Sequence, residues 1–303
     1  MTGLDFLRRP NLLGRSLLAG VAATVLSLTG CGGGSPTGGG SPAAGPGSGP
    51  GAATSSAPAG GQALRVGSDL TYPPYAFLDG GEPAGFDPEV VRALAAQIGA
   101  QPQFQDTRFE QLIAGLKGNR FDLIASALYI TAERAKEVDY IPYFTTGNSI
   151  VAKVGGDQPA AADQLCGKRA AVIKGGDIVQ RLRQDASEAC RAAGQEPVDV
   201  REFTTDPEAT QALLAGQVEV HVTDAAVAKN VVEKTAGRLA ISSKDLLYPI
   251  PVGLAVRKGN TDLARRVREG LDKLRSSGEY ARLLQKYNLQ EPDPAQVDKI
   301  LGS

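Results

Sequence analysis

The chain has no tryptophan, one histidine, three cysteines and only 5% aromatic residues, and its charges nearly cancel to a formal net of -1 over 303 residues. Each shortage closes off a class of function. Without indole platforms a carbohydrate groove is disfavoured. A single histidine, His221, argues against a metal carrier, and no metal or other cofactor is expected. The near-zero net charge leaves no electrostatic footprint for nucleic acid or an anionic membrane surface. The apolar run Ser16 to Leu28 is too short and too weakly flanked for a spanning helix.

That run instead belongs to an address. Arg8, Arg9 and Arg15 precede or open it, so residues 1–30 read as a secretory signal. It ends Leu28-Thr29-Gly30-Cys31, which resembles the lipobox of bacterial lipoproteins. There, cleavage falls before the cysteine, whose thiol is acylated, and several acyl chains (palmitate among them) make a durable anchor. Plain cleavage and release, with Cys31 incidental, is the alternative, and the paired arginines leave a twin-arginine export route open. Residues 31–61 are almost only Gly, Ser, Pro, Ala and Thr, which cannot build a core and read as a flexible tether reaching some 30 Å. The protein is expected on the outer face of the cell membrane, held there through Cys31.

Folding begins near Leu64, and the rhythm is strand, helix, strand, helix, the mark of an α/β fold with a covered parallel sheet. Leu64 to Ser68 reads as a strand. Asp87 and Pro88 open a helix, with Val91, Leu94, Ala95 and Ile98 on one face and Gly99 closing it. Phe109, Leu112, Ile113 and Leu116 repeat the helical spacing. After a strand at Asn148 to Lys153 the alternation starts afresh at Arg169, with strands at 169–173, 198–203 and 218–222. Helices follow Gly175-Gly176-Asp177, Pro207 and Asp224. Another strand, Gly253 to Val256, and a helix pair reaching Tyr287 finish the body. The restart implies two α/β lobes.

Cys166 and Cys190 are paired thiols in a chain that carries an export signal, which favours a disulfide. Closing a loop of about two dozen residues would contribute roughly 3–4 kcal/mol on the chain-entropy estimate. Two free buried thiols are the alternative. A catalytic cysteine would have to use His221 as its base.

The stretch from Phe121 to Arg134 is the strongest candidate for a site. It begins as a short apolar strand, passes through small and hydroxyl residues, and restarts as a helix with Thr131 as N-cap. Loose backbone N–H groups at such a turn favour anions, and Arg134 adds a planar cationic fork that matches a carboxylate. The sequence therefore offers a seat for the carboxylate of a small ligand.

Several short motifs now fall in line. Gly67-Ser68-Asp69-Leu70-Thr71-Tyr72-Pro73-Pro74-Tyr75, Gly85-Phe86-Asp87, Thr131-Ala132-Glu133-Arg134, Gly216 to Val220 with Asp224, and Gly278-Glu279-Tyr280 with Lys286-Tyr287 resemble, in order and spacing, the signatures of the family 3 extracellular solute-binding proteins. These are the amino-acid receptors of ABC importers. The resemblance runs from about Leu64 to Leu289. It implies a two-lobed periplasmic-binding-protein fold of type II, its ligand cleft lying between lobes joined by two crossing strands. Residues 62–147 and 250–303 would form lobe 1, and 148–249 lobe 2. It further implies a monomer that meets ABC permease subunits in the membrane.

The family's ligand contacts carry over where residues match. Arg134 would grip the α-carboxylate and Asp224 the α-ammonium. Groups around Ser126, Ala127, Tyr129 and Gly176 would complete the shell, and Tyr72 and Phe109 would sandwich the side chain. Asp69 could meet a polar or cationic tip. Two positions depart from the pattern. Gly175-Gly176-Asp177 lacks the usual hydroxyl, and Tyr129 stands where Ser or Thr is common. With Asp69, Asp177 tilts the expectation toward a basic side chain, while glutamine-like ligands stay open. Two rivals remain: a dehydratase-type enzyme using Glu82 or Glu110, and a sensor subunit that reports ligand to a membrane partner.

Overall fold

The computed structural model describes residues 61–302, so the expected signal, Cys31 and most of the tether lie outside them. Strand β1 (Gln62–Ser68) turns through the small antiparallel sheet β2 (Thr71–Tyr72), β3 (Ala76–Asp79) and β4 (Glu82–Ala84) into α1 (Phe86–Gln97). α1 buries Val90, Val91 and Leu94, the stripe its periodicity predicts. β5 (Ala100–Asp106), α2 (Leu112–Lys117) and the two-residue β6 (Leu123–Ile124) follow. The sequence after β6 does not restart as a regular helix. It makes turns and one short 3₁₀ segment, Arg134–Lys136, in which Thr131 Oγ1 accepts from the Arg134 N–H at 3.2 Å. Thr131 thus caps a turn, and the predicted helix is absent.

β7 (Val138–Lys153) is 16 residues long, much longer than the strand read from Asn148 onward, because Pro142 and the mixed pattern before Asn148 hide its first half. Beyond it come β8 (Arg169–Ile173), α3 (Asp177–Arg181), a π-helical turn over Leu182–Ala186, and α4 (Ser187–Ala192). The next elements are β9 (Asp199–Phe203), α5 (Asp206–Ala215), β10 (Val220–Asp224), α6 (Ala225–Lys234) and β11 (Leu239–Ile241). β12 (Leu247–Arg257), α7 (Thr261–Ser276), α8 (Glu279–Tyr287) and an unforeseen α9 (Pro294–Leu301) complete the chain. Among the described residues no helix is long and apolar enough to cross a membrane.

The strands lie in the order β5-β1-β6-β12-β7-β10-β8-β9, with β11 also on β7. β5, β1 and β6 run parallel on one side, and β10, β8 and β9 run parallel on the other. β7 and β12 are antiparallel partners that join the two sides. The first part of β7 pairs with β12, while Asn148 to Ala152 pairs with β10. The β12 register shifts between Leu247 and Ile250. Gly147 permits the close crossing there: a Cβ on it would come within 3.0 Å of the Leu246 side chain and 3.1 Å of the Leu247 carbonyl. Two α/β halves thus share two long strands.

Asp87 does not cap α1, as the sequence suggests; Gly85 holds that position. The Asp87 carboxylate, fully buried, instead accepts from Tyr143 OH at 2.5 Å and from the Ala127 N–H at 2.9 Å. Ala127 has a left-handed backbone, φ 44°, a conformation costing about 1–3 kcal/mol in a residue other than glycine. Asp87 therefore anchors a strained bend beside the candidate site.

Two predictions follow from these packing facts. Cys166 and Cys190 are bonded, closing a loop of 24 positions. Serine at both positions should lower the unfolding free energy by about 3–4 kcal/mol in urea, and an unchanged midpoint would contradict a stabilising bridge. Burial pushes the Asp87 carboxyl up to about 7, opposed by its hydrogen bonds to Tyr143 and Ala127 and reinforced by the nearby Asp224 charge. An unfolded aspartate ionises near 4. From about pH 4 to 7 the unfolded chain therefore sheds a proton that the folded chain keeps, and the stability present below pH 4 falls as pH rises. The loss should be of order 3–4 kcal/mol over that window. Asp87→Asn, which keeps one of the two acceptor oxygens but cannot ionise, should flatten that slope, and identical slopes in the two proteins would refute the assignment.

Candidate functional site

Where β7 and β12 cross, the ends of β6, β8 and β10 face one another across a cleft. Its walls come from both halves: Tyr72, Phe109, Ala127, Tyr129 and Arg134 on one side, and Ile173, Gly176, Asp177, Ile178, Val222 and Thr223 on the other, with Asn148 from β7. The space enclosed is about 20 Å³, room for one water. The cleft is shut. A larger groove, about 690 Å³, flanks the hinge beside α6 and the segment from Lys286 to Gln290. It is an open surface feature without the convergence of buried charge and apolar wall found in the cleft.

Arg134 leaves its short turn and reaches over the cleft mouth. Its Nη1 donates to the Tyr129 carbonyl at 3.0 Å, and its Nη2 donates across the cleft to the Gly175 carbonyl at 2.9 Å. The guanidinium lies 5.6 Å from the centre of the Phe109 ring, within cation–π range. Gly175 has φ 76°, and a Cβ there would meet the Cβ of Glu110, from the opposite wall, at 2.9 Å. Glycine is thus required both for the turn and for closure.

Asp224 ends β10 and caps α6. Oδ1 accepts from the Ala226 N–H at 2.9 Å and from Tyr75 OH at 2.8 Å, and Oδ2 accepts from Tyr129 OH at 2.8 Å. Its residue is fully buried, and burial raises the carboxyl above the usual range even though Tyr129, Tyr75 and Ala226 donate to it. Burial likewise pushes Tyr129 and Tyr75 well up, with the Asp224 charge next in effect. Both phenols therefore stay protonated as donors. The halves are stitched by their own side chains: Tyr75 and Tyr129 to Asp224, and Tyr72 OH to Thr223 Oγ1 at 3.3 Å.

Most residues expected at the site do gather here. Tyr72, Phe109, Ala127, Tyr129, Arg134, Gly176 and Asp177 line the cavity, and Asp224 stands directly behind the Tyr129 hydroxyl. Asp69 and Ser126 lie outside the lining. Oδ1 of Asp69 accepts from Thr71 Oγ1 at 2.7 Å and pairs with Arg108 at 2.9 Å, while Oδ2 accepts from the Phe109 N–H at 2.9 Å. Asp69 therefore positions Phe109. Ser126 Oγ accepts from the Asp69 N–H at 3.0 Å, one step further back. Asp177 is in the wall, but its carboxylate pairs with Arg181 at 3.2 Å.

Sequence reasoning missed Asn148, Thr223, Val222, Ile173 and Ile178. All read as ordinary strand or helix residues or their ends, Asn148 at the start of a strand, and only the meeting of two halves turns them into a wall. Of the alternative chemistries, a catalytic cysteine is removed by the Cys166–Cys190 bond. His221 is buried in the second half, its Nε2 3.2 Å from Asp206 Oδ2, and that oxygen also accepts from Thr223 Oγ1 at 2.7 Å.

Comparison with known proteins agrees with this geometry. The chain is 30% identical over 227 residues to the L-cystine-binding protein TcyJ of Escherichia coli, covering 74% of this chain and 82% of that protein. It is 32% identical over 232 residues to an L-arginine-binding protein of Pseudomonas aeruginosa, covering 74% of this chain and 87% of that one. Among solved structures, an ancestral arginine-binding protein bound to glutamine matches with a TM-score of 0.67 and 33% identity, over 74% of this chain and 97% of that one. The family model for bacterial extracellular solute-binding proteins, family 3, matches residues 64–290. With that span matched and the two-lobed sheet carrying the cleft, the chain belongs to this family of extracellular solute-binding proteins.

Proposed function

We propose that the protein captures a free amino acid between its halves and delivers it to an ABC permease. One observation carries the reading: the Arg134 guanidinium from one half lines the small cavity, and the buried Asp224 carboxylate from the other stands directly behind its wall, bonded to the Tyr129 hydroxyl. A free amino acid is a zwitterion, and drying it requires partners for both ends. Arg134 would take the α-carboxylate in place of the carbonyls it now holds. Asp224 would take the α-ammonium in exchange for one of the groups it now holds, which are Tyr129, Tyr75, Thr146 and the Ala226 N–H. Tyr72 and Phe109 would flank the side chain, and Ala127, Tyr129, Gly176 and Asp177 would complete the wall. Ligand and closure would then be one equilibrium, because only the closed state brings both charges together.

On this reading lobe 1 comprises residues 62–147 and 250–303, lobe 2 comprises 148–249, and the bend at Gly147 and Leu247 is the hinge. The protein works as a monomer, exported and held at the outer membrane face through acylated Cys31. It binds its solute without transforming it. Asp177, the one carboxylate among the residues lining the cavity, is held by Arg181, and His221 lies behind Thr223 and Asp206.

Screening the twenty amino acids, ornithine, citrulline and opines by thermal shift tests this proposal. A true ligand at a hundredfold excess over Kd should add about 2.7 kcal/mol of stability, and silence across the screen would end the amino-acid reading. Arg134→Ala should weaken binding by about 2–5 kcal/mol in calorimetry, and unchanged affinity would remove Arg134 from the site. Because burial raises the Asp224 carboxyl, while a bound ammonium requires it ionised, affinity should decline on acidification at a higher pH than an ordinary aspartate would cause. Affinity that stays flat down to pH 4 would rule out Asp224 as the ammonium's partner.

A further inference from the structure

Asn148 sits on β7 at the crossing, its backbone paired with Asp224 of β10 on one side and Leu247 of β12 on the other. The residue is only 3% exposed, it lines the cleft, and its side-chain nitrogen has no hydrogen-bond partner. A buried N–H left unmatched loses its hydration without replacement and is destabilising. Here the cost falls at the hinge end of the cavity, beside the apolar surface of Ile173, Ile178 and Val222.

We infer that Asn148 is a specificity-determining residue, donating its amide N–H to an acceptor on the ligand's side chain. The inference rests on the amino-acid reading above and deepens it. An ammonium is itself a donor and cannot satisfy Nδ2, and the α-carboxylate is assigned to Arg134. The acceptor that remains is at the end of the side chain, its methylenes lying along Ile173, Ile178 and Val222. Of the acidic groups near the cleft, Asp69 is engaged by Arg108 and Asp177 by Arg181, while Glu110, whose buried Oε2 has no hydrogen-bond partner, is not among the residues lining the cavity. The preferred ligand therefore carries a carbonyl-type oxygen a few atoms beyond Cα, as a carboxamide or ureido amino acid does, rather than a bare cation.

The test is a calorimetric comparison of glutamine, methionine and lysine on the full chain and two variants. Glutamine and methionine are similar in length and differ in the terminal acceptor. The unmodified protein should bind glutamine at least about tenfold tighter than methionine, a site built around a hydrogen bond rejecting the analogue that lacks it. Asn148→Leu should reduce that ratio to near one by losing glutamine affinity. Asn148→Asp, which retains the volume but presents acceptors, should lose glutamine and gain lysine. Thermal unfolding of each variant without ligand shows that it folds. A glutamine-to-methionine ratio unchanged in Asn148→Leu overturns the inference but leaves the amino-acid reading standing. Equal losses for all three ligands also overturn it, placing Asn148 on the shared α-carboxyl end. No binding of any amino acid to the unmodified protein removes both.

Discussion

Two strands belong to both halves of this molecule, and every feature of the cleft depends on that sharing. β7 pairs with β12 along its first part and with β10 along its last, so a single run of backbone carries hydrogen bonds from one sheet into the next. A ladder of that kind resists shear but can bend where its register is already broken, and it is broken at Leu247–Ile250. Gly147 lies at the same level. On the proposed reading the halves would open and close across the ends of β6, β8 and β10, where parallel strands leave their loops and where ligands of open α/β sheets are bound.

In the cleft the charged groups are satisfied by the protein's own side chains and backbone. Arg134 spends donors on two carbonyls, one from each half, and Asp224 gathers two phenols and a backbone N–H. On the proposed reading, these hydrogen bonds are what a ligand would have to displace. A solute shifts the balance only by the difference between what it offers and what these groups already have. Tyr129 is the pivot of that competition: its carbonyl holds Arg134 while its hydroxyl holds Asp224. A serine or threonine there would be too short to do both.

How far the sequence could be read depended on whether a residue's role was local. β8 is the strand expected at 169–173, because its apolar run is bounded by polar turns. The covered face of α1 follows the predicted stripe. Arg134, Tyr129, Phe109 and Gly176 converge as the motif pattern implies. Other features depend on partners distant in sequence. Asp87 looks like an N-cap but is drawn to Ala127 and Tyr143, and Asp69 looks like a ligand group but is taken by Arg108. The first half of β7 is hidden by a proline that its strand tolerates. Asn148 has no local signature at all; its meaning lies in an unmatched N–H that only the assembled cleft exposes.

The self-pairing of the cleft also explains why charge separation would matter more than charge. An amine alone could reach Asp224 but would leave the Arg134 bridge to Gly175 in place, and a carboxylate alone could take Arg134 but leave the tyrosines on Asp224. Either would disturb one set of hydrogen bonds and strand its own counter-charge requirement in a dry site, where unmatched charge is costly. A dipolar ion replaces both sets at once and carries its own neutrality into the cavity. On the proposed reading, discrimination for that class would begin before any side-chain contact, with two opposite charges brought together only when the halves close.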